Sequence, residues 1–286
     1  MMTETRNTVE FKEISPRAKV LIIDMQPTIK QNVRISQSLF DSSVNNLDDF
    51  SDLVVASAKT PKDSEIPDLI ERENKTILNL PSSLDGYAAV VITGSPFSSL
   101  PNETANGLFL VNFKKDLIDL IKKAKDRNVP MLGICFGEQI IAEALGGKVV
   151  PMQNKTIKEI WEAGWGKIRR SPGSINDPVM KGLPDEFVAP ENHKETVARI
   201  PEGAILLAEN EFGVQGFRIG NIWGFEFHPE RSIERVNKIL SKESKISQIT
   251  ATGRKVEDVK RMEKDYHDEI RKIFSNFLKF AWHKVQ

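Results

Sequence analysis

Short apolar runs alternate with amphipathic segments through the first half of the chain. Continuous apolar runs at 19–24, 88–93 and 131–134 are typical of parallel strands that are buried on both faces. Residues 112–127 place apolar side chains on one face and lysines on the other, which predicts an amphipathic helix. A second helix is predicted at 138–145, where two glycines stop it. Alternating strands and helices favour a parallel α/β sheet with right-handed crossovers.

The second half of the chain has a different pattern. Four short runs predict strands joined by tight turns, at 165–170, 204–208, 213–219 and 222–227. Gly220-Asn221 is suited to a hairpin turn between the last two of these strands. We therefore expect the parallel sheet of the first half to continue as a mixed sheet.

Polar segments separate an expected core domain from its appendages. Residues 1–17 are polar and predict an N-terminal arm, and the core domain is expected at 18–235. Within the core, residues 30–80 form a long polar insert, for which short helices and a lid over a site are both open interpretations. Its apolar residues, Phe50 and Leu53 among them, have a loosely helical spacing.

The C-terminal part of the chain is highly charged and predicts helix. Residues 236–286 are expected to form a helical extension that packs on the core. Residues 241–254 are interpreted as a linker within it. Apolar side chains then recur with a helical period from Val256 to Ala281, which predicts one long amphipathic helix.

Composition narrows the function classes. The chain has 286 residues, with forty basic and forty acidic residues and a formal net charge of zero. No overall field attracts nucleic acid or an anionic membrane, so neither is expected as a partner. The single cysteine excludes an internal disulfide. The first twelve residues are polar and lack the apolar centre of a signal peptide, so we expect a cytoplasmic protein.

The single cysteine lies at a predicted turn between a strand and a helix. The segment Gly133-Ile134-Cys135-Phe136-Gly137 follows an apolar run and precedes the second predicted helix. This arrangement exposes a nucleophile at a sheet edge and directs a helix N-terminus toward it. By itself, a lone cysteine is more often a small core residue than a nucleophile.

A thiol of ordinary pKa, about 8.5, needs a base near neutral pH, and the chain offers four histidines. His267 and His283 fall in the charged C-terminal segment, where solvent-exposed or packing roles are expected. His228 follows an apolar strand and precedes a proline that ends the strand. Glu230 lies two residues on and points the same way in extended chain, so its carboxylate can orient the imidazole.

Together these motifs resemble the class I (triad-type) glutamine amidotransferases, especially the glutaminase domain of GMP synthase and its stand-alone relatives, the γ-glutamyl peptidases among them. The resemblance extends over about 18–232 and includes the family's oxyanion strand, its Glu-x-Gly-Trp segment and its histidine loop. In this chain these are 91–96, 162–165 and 191–197. It implies an α/β fold of three layers, flavodoxin-like, with a mixed, mainly parallel sheet flanked by helices and followed by the helical C-terminal extension.

The resemblance also implies a role for individual residues. Cys135 would be the nucleophile, His228 the general base and acid, and Glu230 the residue that orients His228. Backbone groups near Gly94 and at Phe136 would hold the oxyanion. The full set of implied oxyanion and substrate-binding residues is Gly94, Ser95, Phe136, Gln139, Asn192 and His193.

The chain departs from the family pattern at two places. Glu138 stands where relatives often carry His, Tyr or another residue, and it is interpreted either as a complement to the helix dipole or as a contact for a substrate amine. The histidine loop reads Asn-His-Lys-Glu instead of Ser-His-Gly-Asp, which affects the expected recognition of the substrate's tail.

Three functions are compatible with these observations. The first is a glutaminase that releases ammonia and glutamate through a γ-glutamyl thioester and serves a separate synthetase or acceptor chain. The second is a stand-alone γ-glutamyl peptidase or hydrolase that acts on other γ-glutamyl amides. The third is a non-catalytic binding module on the same fold. Neither metal-ligand spacing nor a glycine-rich nucleotide loop occurs, so no cofactor or metal is expected.

Overall fold

The computed structural model describes residues 18–25, 50–57, 80–95, 98–100, 105–153, 160–266 and 268–285. The predicted N-terminal arm, most of the predicted 30–80 insert and His267 lie outside the described residues.

A curled sheet of nine strands runs through the described part of the chain, in the order β2-β1-β3-β4-β11-β10-β9-β6-β7. The first four strands and β11 are parallel, and the remaining pairs are antiparallel. A separate antiparallel pair consists of β5 and β8. The strands are β1 Ala18–Asp24, β2 Phe50–Ser57, β3 Tyr87–Ile92, β4 Met131–Ile134, β5 Lys148–Pro151, β6 Glu162–Arg170, β7 Glu186–His193, β8 Glu195–Arg199, β9 Ile205–Asn210, β10 Gly213–Ile219 and β11 Ile222–Phe225.

Helices cover the sheet and form the C-terminal part. They are α1 Ala105–Asp126, α2 Phe136–Ala144, α3 Ile233–Leu240, α4 Glu243–Ala251, α5 Val256–Arg261 and α6 Lys272–Val285. The helix predicted at 112–127 is therefore confirmed but begins one to two turns earlier, and the second predicted helix is confirmed as α2. The α/β fold class and the change from a parallel to a mixed sheet are also confirmed. No described helix is long and apolar enough to cross a membrane.

Both faces of β1 and β3 are buried, which explains their continuous apolar runs. Val20 and Val91 pack into one core cluster, whereas Leu21 and Val90 pack into the cluster on the opposite face. Helices α1 and α2 cover the second face, and α6 contributes Phe277 and its neighbours to the first. Because helices cover both sides of a parallel strand, its side chains do not alternate between apolar and polar.

The helical interpretation of the apolar positions in the polar insert is wrong where the structure describes it. Residues 50–57 form β2, which pairs in parallel with β1 at the edge of the sheet. The run Leu53-Val54-Val55 contains two adjacent β-branched residues, which favour extended backbone, and this local signal outweighs the loose spacing of apolar positions.

The C-terminal prediction is wrong in two respects. Residues 241–254 are not a linker, since they contain α4, and the long helix predicted from Val256 to Ala281 is broken between α5 and α6. Tyr266 is extended, with φ −74° and ψ 130°. The break has a packing reason. Val259 packs with the cluster around Trp165, and Ile273 packs with the different cluster around Trp223.

The sequence pattern also missed strands β5, β7 and β8. Each lacks a continuous apolar run: β7 carries Pro190 and two acidic residues, and β8 begins with Glu195. Several of these polar residues are nonetheless buried, because they take part in the network described below.

Helix α6 braces the sheet through aromatic contacts. Phe277 is fully buried and meets the ring of Trp223 on β11 edge to face, with ring centroids 6.0 Å apart. Phe280 meets the same indole at 4.9 Å. The C-terminal helix therefore packs on the strand that immediately precedes His228.

Replacement of Phe277 by alanine is expected to destabilise the protein by about 3–5 kcal/mol, because a fully buried phenyl ring leaves a cavity next to Trp223. Equilibrium unfolding in urea measures the change. Lys279→Ala, on the exposed face of the same helix, is the control and should stay within about 0.5 kcal/mol of the parent. Equal stability of Phe277→Ala and the parent would show that α6 does not brace the core.

Candidate active site

Cys135 occupies a strained turn between β4 and α2. Its φ of 52° and ψ of −108° lie where residues other than glycine are rarely found. The turn is held on both sides by backbone hydrogen bonds. The N–H of Cys135 donates to the carbonyl of Phe225 at 2.7 Å, and the carbonyl of Cys135 accepts from the N–H of Gln139 at 3.0 Å.

The two glycines that flank the cysteine are required by close backbone packing. A Cβ on Gly137 would clash with the carbonyl oxygen of Ile92 on β3, and a Cβ on Gly133 would lie 2.5 Å from the backbone of Gly137. The first turn of α2 thus lies against β3 with no room for a side chain. This contact explains the Gly-x-Cys-x-Gly spacing that the sequence displays.

His228 is placed by the end of β11 and by a backbone hydrogen bond to β7. Its N–H donates to the carbonyl of Pro190 on β7 at 2.8 Å, which fixes the backbone as the chain leaves the sheet. Its ring Nδ1 donates to Oε1 of Glu230 at 2.7 Å, and both side chains are buried. The carboxylate therefore leaves Nε2 as the nitrogen that can accept a proton.

The thiol-bearing residue and the imidazole meet at Gly94, just after β3. A Cβ on Gly94 would lie 2.8 Å from Cε1 of His228 and 3.5 Å from Cβ of Cys135, so only a glycine leaves room between them. Among the described residues, Nε2 of His228 has no hydrogen-bond partner. Cys135 and His228 thus lie against the same glycine, and Glu230 contacts His228 from two residues further along the chain.

Both reacting groups are neutral in this arrangement. Burial, and next the carboxylate of Glu226, raise the pKa of the Cys135 thiol well above its ordinary value, while the guanidinium of Arg231 and the N–H of Phe136 act in the opposite direction. Burial, assisted by Arg231, lowers the pKa of His228 to about 4, against the opposing effect of Glu230. Near neutral pH the thiol of Cys135 therefore keeps its proton, and the neutral imidazole of His228 can accept one at Nε2.

The residues implied for the oxyanion and the substrate take different positions. The N–H of Phe136, at the N-terminus of α2, lies close enough to the sulfur of Cys135 to lower the pKa of the thiol, and Gly94 lies beside both Cys135 and His228. Ser95 donates its hydroxyl to the carbonyl of Met25 at 3.0 Å. Their roles in binding an oxyanion remain predictions.

The other implied substrate residues lie deeper. Gln139 is buried and donates its amide to both carboxylate oxygens of Glu226, at 3.0 and 3.1 Å. His193 is 3% exposed, and the side chain of Asn192 is half-buried beside it in β7. Direct contact of these side chains with a substrate remains a prediction.

Two charged residues near Cys135 were missed by the sequence interpretation. Glu226 is fully buried between two phenylalanines in the segment that leads to His228, and Arg231 follows Glu230 and is half-buried. The signal for Glu226 was available. A carboxylate flanked by Phe225 and Phe227 in a buried strand needs a specific partner, because an isolated buried charge is strongly unfavourable.

Glu226 belongs to a buried polar network beneath the turn. A Cβ on Gly224 would lie 2.6 Å from Cγ of Glu138, so the Glu138 side chain lies between α2 and β11. Burial, and next the nearby Glu226, raise the pKa of Glu138 well above its usual range, and a hydrogen bond joins the two carboxyl groups. Burial also raises the pKa of Glu226, against the opposing effect of His193. The two carboxyl groups therefore share a proton.

This geometry bears on both interpretations of Glu138. Within the described part of the chain the side chain is fully buried against the sheet, which does not favour contact with a substrate amine. The helix dipole favours an ionised carboxylate, whereas Glu138 is held in its protonated form by burial and by Glu226. Sequence alone could not show this, since the partner lies far away along the chain.

The network continues through His193, which joins it to β6. Nδ1 of His193 donates to the carbonyl of Glu195 at 2.8 Å, and Nε2 donates to Glu162 at 2.9 Å. Glu191 lies 3.5 Å from the same Nε2. Burial acts against the charged form, but Glu226, Glu162 and Glu191 together raise the pKa of His193 well above its usual range, so it is an imidazolium.

Glu162, Glu191 and His193 are the described residues whose ligand atoms lie close enough to hold a metal ion, within 4.8 Å of one another. Their protonation does not fit one, because both ring nitrogens of His193 serve as donors and leave no lone pair for a metal. Glu162 is further occupied by donors from Asn210 and Gln215 at 2.7 and 3.1 Å. The imidazolium supplies the positive charge that the carboxylates require.

The strain at the turn makes a prediction that is independent of any reaction. Cys135→Gly is expected to be more stable than Cys135→Ala by about 0.5–2 kcal/mol, because glycine adopts a φ of 52° freely and alanine does not. Urea unfolding of the two variants side by side measures the difference, with the thiol removed from both. If Cys135→Ala is the more stable of the two, the turn is not strained.

The shared proton of the carboxyl pair predicts a specific pH dependence of stability. A group with a raised folded pKa contributes stability that is present below its unfolded pKa and is lost as pH rises through the folded pKa. For Glu138 this loss begins above its ordinary value of 4.5 and reaches about 1.4 kcal/mol per pH unit. Glu138→Gln should therefore reduce the decline in unfolding free energy between about pH 5.5 and pH 8.

The control for this comparison is Glu186→Gln, in which an exposed carboxylate paired with Lys167 is replaced. Its unfolding free energy should follow that of the parent protein across the same pH range. An unchanged decline in Glu138→Gln would contradict the shared proton.

The comparisons with known proteins agree with this geometry. The family model described as glutamine amidotransferase class-I matches residues 70–246, which is more than half of the chain and contains Cys135, His228 and Glu230. A solved structure of a glutamine amidotransferase from Thermotoga maritima covers 93% of this chain and 99% of its own, with a TM-score of 0.60 and 20% sequence identity. At that identity the likeness shows the fold alone.

Two relatives show how much of a curated protein the matched region covers. One subunit of the glutamine-hydrolyzing GMP synthase of Sulfolobus acidocaldarius is 32% identical over 154 residues, which are 51% of this chain and 69% of that relative. The glutamine-hydrolyzing GMP synthase of Porphyromonas gingivalis is 27% identical over 157 residues, which are 53% of this chain but only 26% of that protein. The chain thus spans about a quarter of the length of the latter curated relative. On the strength of the family match, this chain belongs to the class I glutamine amidotransferases.

Proposed function

We propose that the protein hydrolyses the γ-amide of glutamine with Cys135 as the nucleophile. The sulfur attacks the side-chain carbonyl carbon while its proton passes to Nε2 of His228. The oxygen then carries a negative charge, which backbone N–H groups at Phe136 and near Gly94 stabilise, each by a few kcal/mol. As the carbon–nitrogen bond breaks, His228 returns the proton to the leaving nitrogen and ammonia departs.

The second half of the reaction releases the other product. A water molecule gives a proton to His228 and attacks the γ-glutamyl thioester, the carbon–sulfur bond breaks, and glutamate leaves as Cys135 regains its thiol proton. Glu230 keeps the imidazole oriented through the 2.7 Å hydrogen bond to Nδ1 and stabilises it while it is charged. No step of this sequence calls for a cofactor.

One observation carries the proposal. A Cβ built on Gly94 would lie 2.8 Å from Cε1 of His228 and 3.5 Å from Cβ of Cys135. These two residues therefore lie against the same glycine although they are far apart in sequence. The strained φ of Cys135 supports it, because backbone strain at a buried residue is a property of functional turns. A non-catalytic binding module would have no reason to retain both features together with the Glu230 contact.

We further propose that the ammonia serves a separate synthetase or acceptor chain. The S. acidocaldarius relative is named as one part of a glutamine-hydrolyzing GMP synthase, and the match to the P. gingivalis enzyme covers only part of that longer protein. In this proposal residues 18–235 form the hydrolytic domain. Residues 236–286 form the extension that braces β11 through Trp223.

The function is tested by incubating the protein with glutamine and, separately, with γ-glutamyl dipeptides, and by measuring glutamate and ammonia. We expect glutamate from glutamine, and a fall in kcat of at least about 10⁴-fold in Cys135→Ala, which removes only the sulfur from a small buried side chain. Cys135→Ala must remain folded at the assay temperature, with the circular dichroism spectrum of the parent, for the comparison to be valid.

Two outcomes would contradict the proposal. Normal turnover by Cys135→Ala would remove the cysteine from the chemistry. Release of glutamate from the dipeptides but not from glutamine would replace glutaminase activity with γ-glutamyl peptidase activity on the same residues.

A further inference from the structure

The proposed reaction leaves one group beside the nucleophile without a role. Glu226 is fully buried, and its carboxylate lies among polar partners directly beneath the turn at Cys135. A carboxylate in this position raises the pKa of the thiol, which by itself opposes the formation of the thiolate. A group that is costly to bury and unfavourable to the nucleophile calls for a specific explanation.

The sheet brings Glu226 and Cys135 side by side. Strands β4 and β11 run parallel, with Ile134 paired to Phe225, and the N–H of Cys135 donates to the carbonyl of Phe225 at 2.7 Å. Cys135 directly follows β4 and Glu226 directly follows β11, so the two residues leave the sheet at the same level. Gln139, in the first turn of α2, donates its side-chain amide to the Glu226 carboxylate and its backbone N–H to the Cys135 carbonyl, so the carboxylate lies next to the turn that carries the thiol.

The imidazole does not hold the thiol in this structure. Within the described residues, Nε2 of His228 has no hydrogen-bond partner, although Gly94 leaves it close to Cys135. Two acceptors therefore lie near the thiol, the Glu226 carboxylate and Nε2 of His228, and the second of these is not engaged by a hydrogen bond within the described residues.

We propose that Glu226 is a positioning residue that accepts the hydrogen bond of the Cys135 thiol and keeps the sulfur protonated until the substrate engages. This inference rests on the proposed function, in which His228 is the base. When the carbonyl carbon arrives, the S–H group turns from Glu226 to Nε2 of His228. The S–H bond then breaks, its proton passes to Nε2, and the sulfur electron pair forms the bond to carbon.

The surroundings of Glu226 keep its negative charge next to the thiol. Gln139 donates to both of its oxygens, and Nδ1 of the His193 imidazolium lies 3.8 Å from Oε1. Glu138, on α2, carries the shared proton and donates to Glu226. Donors therefore surround Glu226, while its partner carboxyl group stays neutral.

The other charged groups that act on the sulfur differ in sign. Arg231 favours the thiolate, and Glu230, which is bonded to His228, disfavours it more weakly than Glu226 does. A substrate that displaces the thiol hydrogen from Glu226 leaves the sulfur to His228, Arg231 and the N–H of Phe136. The same cysteine is then held inactive at rest and activated on binding.

Alkylation of the thiol tests this role without any substrate. Cys135 is the only cysteine of the chain, so the rate of its reaction with iodoacetamide, measured by mass spectrometry from about pH 6 to 9.5, reports one site. In Glu226→Gln the acceptor charge is removed, and we expect alkylation at about pH 7.5 to become about tenfold faster, which corresponds to a fall of about one unit in the thiol pKa. Glu226→Asp, which withdraws the carboxylate by one methylene, should give an intermediate rate.

Glu138→Gln is the matched control, because it makes the same carboxyl-to-amide change in the same buried pair. It leaves the negative charge on Glu226, so its alkylation rate should stay within about twofold of the parent. A purely structural loosening of the pair would accelerate alkylation in both variants alike.

Three results would overturn the inference. These are equal acceleration in Glu226→Gln and Glu138→Gln, no acceleration in Glu226→Gln, and no reaction of either Glu226→Gln or the parent protein. Because no substrate enters the measurement, failure here is separate from failure of the proposed hydrolysis, which the glutamate assay alone decides. Glu226→Asp keeps the test open if Glu226→Gln does not fold.

Discussion

The contact of Gly137 with the carbonyl of Ile92 is the constraint on which the site depends. Because the first turn of α2 lies directly against β3, the chain must reverse within one residue after β4, and that residue is Cys135, with its φ of 52°. The energy stored in this conformation is offset by the buried faces of α2 and by the hydrogen bond from Cys135 to Phe225. The same hydrogen bond sets β11 beside β4, and thus determines where the chain delivers His228.

The same packing also buries several charged side chains. The helix, β11 and β7 converge beneath the turn, and the polar residues they carry have little access to water. They are satisfied by one another: a shared proton joins Glu138 to Glu226, and the His193 imidazolium joins Glu226 to Glu162. Because each group depends on several neighbours, the network specifies one arrangement of these elements more strictly than apolar packing would.

Local patterns were sufficient for the centre of the sheet and for the contact between His228 and Glu230. The runs that became β1, β3 and β4 are apolar because both faces are covered, and a glycine on each side of Cys135 marks a turn that cannot hold a side chain. Glu230 follows His228 at a spacing of two, which extended backbone converts directly into a contact. In each case the cause lies within a few residues of its effect.

Prediction failed where the cause lies far along the chain. β7 and β8 carry buried charges whose partners lie far away along the chain, so their sequences resemble surface loops. His193 donates to Glu162, and Glu195 accepts from Ser99. The C-terminal helices break at Tyr266 because Val259 and Ile273 serve different core clusters, which an uninterrupted apolar period conceals. The role of Glu138 depends on Glu226 in the same way, and its position in the first turn of α2 indicated only the helix dipole.

Burial and the charge of Glu226 act in the same direction on the resting Cys135 thiol. Both disfavour the thiolate: burial most, then Glu226, with Arg231 and the N–H of Phe136 opposing them. In the proposed reaction this balance changes once a carbonyl carbon stands beside the sulfur, because the charge moves from sulfur to an oxygen that backbone donors surround. Interactions that are stronger in the transition state than in the resting protein accelerate the chemical step. A stable thiolate would instead lower the free energy of the resting protein and leave a higher barrier. A nucleophile that is neutral until it is used is therefore consistent with effective catalysis, and it also protects a lone thiol from oxidation, since oxidants react with the thiolate form.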